Sequence, residues 1–159
     1  MTRAKKSATR TRRKMVKTSE EMQRWSALLA EEIISWPAVR TKHMFGFLAY
    51  YRGDALFGIL PRTRGFDSGG LLIVKFDPMP PKLFERAERD PRLGTWTRFP
   101  RKGWFTFELT GEDDLRDALW WLQQAFACAG QAPSASKPKR GERVNRAKSS
   151  PRQNSRRTR

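Results

Sequence analysis

The side chains most able to do chemistry in this sequence are cations, and they are concentrated at its two ends. The 159-residue chain has a formal net charge of +17. Residues 1–18 hold eight lysines and arginines and no acid, and residues 131–159 hold ten with a single glutamate. The other fifteen of the 33 bases and fifteen of the 16 acids lie in residues 19–130. A neutral segment therefore separates two polycationic arms.

Arms of this composition favour polyanions as partners. They are poor in apolar residues and repel themselves, so we expect them to be disordered when free. Cations that neutralise phosphates release counterions, which predicts largely non-specific binding of nucleic acid, DNA in the first instance, that weakens steeply with salt. No amphipathic helix or lipidation motif accompanies the charge, so we expect no membrane binding. We assign the nucleic-acid contact to Arg10, Arg12, Arg13, Lys14, Lys17, Lys137, Lys139, Arg140 and Arg143.

A second candidate surface is the predicted hairpin of residues 95–107. Three aromatic residues are interleaved there with three cations, in the order Trp96, Arg98, Phe99, Arg101, Lys102 and Trp104. Such a surface can stack unpaired bases, so we add Arg98, Arg101 and Lys102 to the predicted nucleic-acid contacts. The alternative is an ordinary strand pair with one buried and one solvated face, and the pattern favours that alternative.

Candidate catalytic groups are few. His43 is the only histidine and Cys128 the only cysteine, which excludes a zinc site built from these residue types. Asp113 and Asp114 are adjacent carboxylates, but a predicted helix start favours capping over acid–base chemistry. We therefore expect no catalytic residue, metal or cofactor. A small-molecule enzyme would need a pocket lined by His43 and a carboxylate.

The sequence also indicates a compartment. A lone cysteine excludes an internal disulfide and suits a reducing environment. The N-terminus lacks the apolar core of a signal peptide, and no apolar run approaches the roughly 18 residues of a membrane helix. We expect a soluble, cytoplasmic protein.

Residues 19–130 must hold these groups in place, and we predict that they form one α+β domain between the tails 1–18 and 131–159. Thr18 and Glu21 predict a capping box for a first helix, whose buried stripe comprises Met22, Trp25, Leu29, Ile33 and Trp36. β-prone runs around turns at 52–54 and 100–103 predict two hairpins.

The remaining elements complete this arrangement. The apolar run 71–76 predicts a strand covered on both faces. A short helix starts at Pro81, and a last helix starts near residues 110–113, with Cys128 well off its apolar face. Residues 61–70 are predicted to be a loop. The sheet should be mostly antiparallel, with about five strands flanked by N- and C-terminal helices.

An ordered set of motifs occurs between residues 36 and 129, comprising Arg40, Met44-Phe45-Gly46, Tyr51-Arg52-Gly53, Phe57, the strand Leu72-Ile73-Val74-Lys75, and Trp121-Leu122 with Ala125 and Ala129. This set resembles the N-terminal domain of TfoX/Sxy-type competence regulators, which is related to the YjbR/MmcQ-like fold. Phe47 departs from the pattern, since the family usually has a second glycine there. Full-length members also carry a helix-rich C-terminal domain where this chain has a cationic tail.

The resemblance implies an antiparallel sheet flanked by helices and a kinship with DNA-associated or regulatory proteins, and it brings no catalytic residue with it. We therefore expect a non-enzymatic regulator that associates with nucleic acid through its tails. The alternative is a protein-interaction or dimerisation module whose basic tails are incidental, with a protein partner or a second copy of the chain.

Overall fold

The computed structural model describes residues 15–66, 69–95 and 103–131. Within these ranges the chain forms three helices and eight strands. In chain order they are β1 (Val16–Lys17), α1 (Glu20–Ile34), β2 (Val39–Met44), β3 (Phe47–Arg52), β4 (Ala55–Pro61), β5 (Arg64–Gly65), β6 (Leu71–Lys75), α2 (Pro81–Arg89), β7 (Leu93–Thr95), β8 (Trp104–Glu108) and α3 (Asp114–Ala129).

The strands form one six-stranded antiparallel sheet and one two-stranded ribbon. The order in the sheet is β2-β3-β4-β6-β8-β7, and the ribbon pairs β1 with β5. The predicted α+β class is confirmed. The sheet has six strands rather than about five, since β2 pairs with β3 along its whole length. The ribbon was not predicted, because two-residue strands 47 positions apart carry no recognisable pattern.

Two long helices cover one face of the sheet. The predicted stripe of α1 is confirmed for Met22, Trp25, Leu29 and Ile33, which are buried against the sheet and α3. Trp36 lies beyond the end of the helix and is half-buried against the same core. The predicted cap is wrong by one residue. Ser19, not Thr18, has the extended backbone of an N-cap, and its hydroxyl accepts a hydrogen bond from the N–H of Met22 at 3.1 Å.

The opposite face of the sheet carries a smaller apolar cluster, in which Phe47, Ala49, Ile59 and Ile73 are buried. Along β6 the side chains alternate, since Leu72 and Val74 belong to the helix-covered core and Ile73 to this second cluster. All three are fully buried, which confirms the prediction that this strand is covered on both faces.

Arg92 joins the segment between α2 and β7 to α3, whose Asp114 and Asp117 lie 22 and 25 residues later in the sequence. Its guanidinium donates hydrogen bonds to Asp90 at 3.1 Å, to Asp114 at 2.8 Å and to Asp117 at 2.7 Å. Asp90 also accepts a hydrogen bond from the indole N–H of Trp121. The cluster therefore ties the end of α2 and the start of β7 to the first turn of α3.

Asp114 is the central carboxylate of this cluster, while its neighbour Asp113 makes no side-chain cap bond. Asp114 also accepts hydrogen bonds from the backbone N–H and the hydroxyl of Thr110, both at 2.8 Å. Burial alone would raise the pKa of Asp114, but the hydrogen bonds from Thr110 and Arg92 lower it to about 2. The predicted capping role is wrong, because Asp113 makes no side-chain cap bond and Asp114 accepts its hydrogen bonds from Thr110, which precedes α3, and from Arg92.

Cys128 is buried, although we predicted it well off the apolar face of the last helix. The reason is that α3 packs against α1 as well as against β3, β4 and β6, which widens its buried surface. None of the helices in the described ranges is long and apolar enough to span a membrane.

Candidate nucleic-acid interface

Of the residues assigned to nucleic-acid binding, Lys17 lies within the described ranges. The others lie outside them, namely Arg10, Arg12, Arg13, Lys14, Arg98, Arg101, Lys102, Lys137, Lys139, Arg140 and Arg143. Lys17 is exposed on β1, the first strand after the N-terminal arm. The surface around Lys17 therefore shows where that arm meets the domain.

The ribbon brings Lys17 together with Arg64. The two residues are direct partners across the antiparallel pair β1–β5, so their side chains leave the same face. Within the described residues neither cation has a carboxylate at ion-pair distance. Like charges in directly opposite positions destabilise a strand pair, so an anion bound between them would relieve the repulsion.

Gly46 fixes the loop that carries the next two cations. Its carbonyl accepts hydrogen bonds from the backbone N–H groups of Arg62, Thr63 and Arg64 at 2.9, 2.9 and 3.2 Å. Its φ is +93°, and a Cβ atom at this position would lie 2.8 Å from side-chain atoms of Thr63 and Arg64. Glycine is therefore required here, and it holds residues 62–64 against the β2–β3 turn.

Phe45 projects from that same turn. Met44 pairs with Phe47, so Phe45 and Gly46 form the two-residue loop, and both have positive φ, +46° and +93°. This is the geometry of a type I′ turn, which prefers Asn-Gly and disfavours a bulky first residue. The Phe45 side chain is 86% exposed. A strained, solvated aromatic residue is unfavourable for folding, which points to a role in binding.

His43 lies beside Arg62 at the edge of this surface. The guanidinium is 3.2 Å from Nδ1 of His43 and 3.5 Å from Nε2. Since arginine only donates hydrogen bonds, this contact requires the neutral imidazole. Among the described side chains no carboxylate is hydrogen-bonded to His43, so no partner of that type orients it as a general base.

A groove with a volume of about 490 Å³ lies between α1 and the helix-covered face of the sheet. Its floor is made by neighbouring strand residues, since Thr41 pairs with Tyr50 and His43 pairs with Leu48. Its wall is one stripe of α1, and Arg62 closes one side. The wall residues are Gln23, Ser26, Ala27, Ala30, Glu31 and Ile34. His43 and a carboxylate, Glu31, thus line one cavity, as an enzyme would need, but they are not hydrogen-bonded to each other.

Two of the described residues that line this groove carry enclosed hydroxyl groups without a hydrogen-bond partner. Tyr50 is fully buried and Ser26 is 7% exposed, and neither side-chain oxygen has a hydrogen bond within the described residues. Burial raises the pKa of Tyr50 to about 12, and the positive charge of Arg62 opposes part of that shift. The Tyr50 hydroxyl therefore remains a hydrogen-bond donor at neutral pH.

The predicted aromatic and basic hairpin is only partly within the described ranges. Residues 96–102 lie outside them, while β7 and β8 pair with Thr95 opposite Phe105. Trp104 is half-buried, and the ammonium of Lys75 lies 5.7 Å from its ring centroid. This tryptophan therefore has a cation from β6 beside it.

In the described structure the Gly46 carbonyl holds residues 62–64 against the turn that carries Phe45, and the β1–β5 pairing puts Lys17 opposite Arg64. Sequence reasoning placed Arg62 and Arg64 on a loop but did not connect them with Phe45. The glycine between two β-prone runs indicates a turn at Gly46, but a type I′ turn prefers Asn-Gly, so no local signal pointed to an exposed Phe45.

Known proteins supply no relative on which to base a role for these residues. The chain matches no protein-family model, no curated protein and no solved structure. The function is therefore inferred from the contacts described above and from the distribution of charge.

Proposed function

We propose that this chain is a non-enzymatic, TfoX-like regulatory domain of the cytoplasm that associates with nucleic acid, DNA in the first instance, through its cationic arms and the surface formed by Phe45, Arg62, Arg64 and Lys17. The observation that carries the proposal is the exposure of Phe45 on a strained turn against which residues 62–64 are held by backbone hydrogen bonds. We call these four residues the Phe45 surface.

The chemistry of the Phe45 surface matches that of single-stranded nucleic acid. An aromatic ring stacks on an unpaired base of any type, which contributes about 1–3 kcal/mol per base. The three cations supply the phosphate contacts that position the strand. The N-terminal arm precedes β1 in the sequence, so it is attached to the domain next to Lys17.

The first experiment changes Phe45→Asn in the full chain and measures binding to a fluorescent single-stranded oligonucleotide and to the corresponding duplex. Asparagine suits the type I′ turn, so the hairpin is kept while the stacking ring is lost. We expect single-strand affinity to fall roughly tenfold, as loss of one stacked base implies, and duplex affinity to change little. Unchanged single-strand affinity would exclude Phe45 as a base contact.

The second experiment tests the arms. Arg10, Arg12, Arg13 and Lys14 are changed to glutamine in the full chain, and the affinity for DNA is measured against salt concentration. Each lost phosphate contact should reduce the slope of log affinity against log salt by about 0.7–0.9. A slope equal to that of the unmodified protein would show that the N-terminal arm does not bind DNA.

Exposed apolar side chains favour a protein-interaction or dimerisation module as the second candidate function. Leu28 and Ile34 on α1 are 45% and 60% exposed, and Phe45 adds a third apolar site. This function predicts a concentration-dependent dimer in light scattering, and DNA affinity no greater than that of an unrelated polycation of equal charge. Loss of the dimer in Ile34→Glu, with DNA binding retained, would separate the two functions.

A further inference from the structure

Strand β2 is an open edge of the six-stranded sheet. It pairs with β3 on one side, and no strand of the described residues lies on its other side. Met44 and Phe47 flank a two-residue loop, so they form a hydrogen-bonded pair, and the two kinds of pair alternate from there along the strands. Thr41 and His43 are therefore in non-hydrogen-bonded positions, and their backbone N–H and C=O groups point away from β3. An edge of this kind is a template for a further strand.

One side of this edge opens into the groove under α1. Side chains alternate along β2, and Thr41 and His43 lie on the side that lines the groove. Both residues are exposed, although α1 lies on their side of the sheet. The facing wall includes Ala30 and Ile34, and Ile34 is 60% exposed. A strand added to β2 would place every second side chain in this space, where apolar side chains fit.

The other side of the same edge is cationic. Arg40 and Lys42 are exposed there. Arg40 forms an ion pair with Asp54 at 2.6 Å, whereas Lys42 has no carboxylate at ion-pair distance within the described residues. Directly opposite residues of paired strands share a face, so an acidic residue is favoured opposite Lys42. Glu31 lines the groove on the α1 side and therefore does not face that acid.

These charges disfavour a second copy of the chain as the occupant. Outward positions of β2 must meet one another in an antiparallel pair of copies. In the two registers that overlap most, Thr41 meets either Thr41 or His43 of the other copy, which places Lys42 opposite Arg40 or opposite Lys42 respectively. Like charges in opposite positions destabilise the pair, and a lysine on an edge strand keeps copies apart. The arms of this chain are disfavoured for the same reason, since they are cationic.

We propose that β2 binds an extended segment of another protein, in which apolar and acidic residues alternate, as a seventh strand of the sheet. Its backbone pairs with the outward groups of Thr41 and His43, its apolar side chains enter the groove under α1, and its acidic side chains lie beside Lys42. Backbone hydrogen bonds supply the affinity of such a contact, and the alternate side chains supply its specificity. Nothing in the proposed binding of nucleic acid requires this edge, so it is a separate interaction surface.

The capped peptide TVEVEVT is the probe that tests this edge, because it has the required alternation in either direction. It is titrated into the isotopically labelled full chain, and the backbone amides are followed by NMR spectroscopy and hydrogen exchange. We expect TVEVEVT to slow hydrogen exchange at the amides of Thr41 and His43, which gain hydrogen-bond partners.

Two control peptides separate strand addition from general attraction to a chain of net charge +17. TVEPEVT has the same charge as TVEVEVT but lacks a central backbone N–H, and TVKVKVT reverses the charge. Both should bind at least tenfold more weakly than TVEVEVT. Equal binding of either control peptide, or unchanged exchange at Thr41 and His43 with TVEVEVT, would overturn the proposal.

Lys42→Glu exchanges the charge preference of the edge. It should weaken binding of TVEVEVT by about three- to thirtyfold and strengthen binding of TVKVKVT by a similar factor. Lys82→Glu is the matched control, since Lys82 is exposed on α2 and its replacement changes the net charge equally. If the two variants weaken binding of TVEVEVT equally, the cation of the edge has no specific role and the site is refuted.

Thr41→Pro tests the outward backbone directly. Proline is tolerated on an edge strand where the N–H does not point at the neighbouring strand, so the β2–β3 pairing should be kept, as the amide spectrum will show. Binding of TVEVEVT should fall at least tenfold, while Thr41→Val, which retains the N–H, should bind as the wild-type protein does. Undiminished binding in a folded Thr41→Pro protein would contradict strand addition, and TVEPEVT tests the same bond from the side of the peptide.

Discussion

Lys17 lies directly opposite Arg64 in the two-stranded ribbon, and within the described residues neither has a carboxylate partner. Lys17→Glu converts this pair of like charges into one of opposite charge. We expect the variant to be slightly more stable toward urea, by about 0.2–1 kcal/mol, and to bind DNA more weakly. Stability and DNA binding therefore change in opposite directions at one residue.

Lys82→Glu is the charge-matched control for that experiment. Lys82 is exposed on α2, which connects β6 to the edge strand β7, at the end of the sheet remote from β2. The net charge changes equally in both variants, so a general loss of attraction would weaken DNA binding equally. A specific role for the Phe45 surface requires that Lys17→Glu weaken DNA binding more.

Gly46→Ala tests the loop that carries Arg62 and Arg64. The new methyl group would clash with Thr63 and Arg64 at a positive φ, so we expect a loss of about 2–3 kcal/mol in unfolding free energy together with weaker DNA binding. Gly53→Ala is the matched change, because Gly53 also has positive φ, +60°, but nothing lies within 4 Å of its added Cβ. It should cost about 1 kcal/mol and leave DNA binding unchanged. Equal effects of the two variants on DNA binding would show that the Gly46 carbonyl does not position the loop.

Tyr50→Phe should stabilise the folded protein. Removing a buried hydroxyl without a partner should raise the unfolding free energy by about 1 kcal/mol, measured by urea denaturation at pH 7. Tyr51→Phe, at a half-buried position on the opposite face, should change it by less than about 0.5 kcal/mol. A less stable Tyr50→Phe protein would mean that this hydroxyl has a hydrogen-bond partner in solution.

Because the pKa of Tyr50 is raised, the difference in unfolding free energy between the wild-type protein and Tyr50→Phe should depend on pH. The native state keeps the phenolic proton up to about pH 12, whereas an unfolded tyrosine ionises near pH 10. The contribution of Tyr50 is therefore fully present below pH 10 and is lost as the pH rises toward 12. Across that interval the wild-type protein should lose more stability than Tyr50→Phe. If the unfolding free energies of the two proteins fall equally between pH 10 and pH 12, the raised pKa of Tyr50 is contradicted.

Asp114→Asn should destabilise the protein by about 1–2 kcal/mol at pH 7, because the charged hydrogen bond from Arg92 and the bonds from Thr110 are weakened. The depressed pKa means that this contribution is present above about pH 4 and is lost as the pH falls toward 2. The unfolding free energies of the wild-type protein and Asp114→Asn should therefore converge near pH 2. Asp113→Asn, on the adjacent exposed carboxylate, should be nearly neutral at every pH, and a comparable loss there would argue against the Arg92 cluster.

The elements that follow from local pattern were predictable. The spacing of Met22, Trp25, Leu29 and Ile33 defines the buried face of α1 whatever it packs against. The β3–β4 hairpin follows from its turn residues, as does the proline start of α2. The cap was placed one residue early because Thr18 and Ser19 are chemically equivalent, and only the backbone conformation distinguishes them.

The candidate sites depend on contacts between distant segments, which no local pattern contains. Lys17 and Arg64 meet only because β1 returns to pair with β5. The groove exists because the register places Thr41 beside Tyr50 and because small residues of α1, such as Ala27 and Ala30, fail to fill the space above them. Cys128 is buried for the same kind of reason, since α3 has a second neighbour in α1.

Gly46 ties the aromatic part and the basic part of the Phe45 surface to one piece of backbone. Its carbonyl accepts hydrogen bonds from the N–H groups of Arg62, Thr63 and Arg64, and Phe45 precedes it in the turn. The backbone that carries the ring and the backbone that carries these cations are therefore ordered together before a strand binds. Preorganisation of this kind lowers the entropic cost of association, so a surface with few contacts can bind more tightly than its area implies.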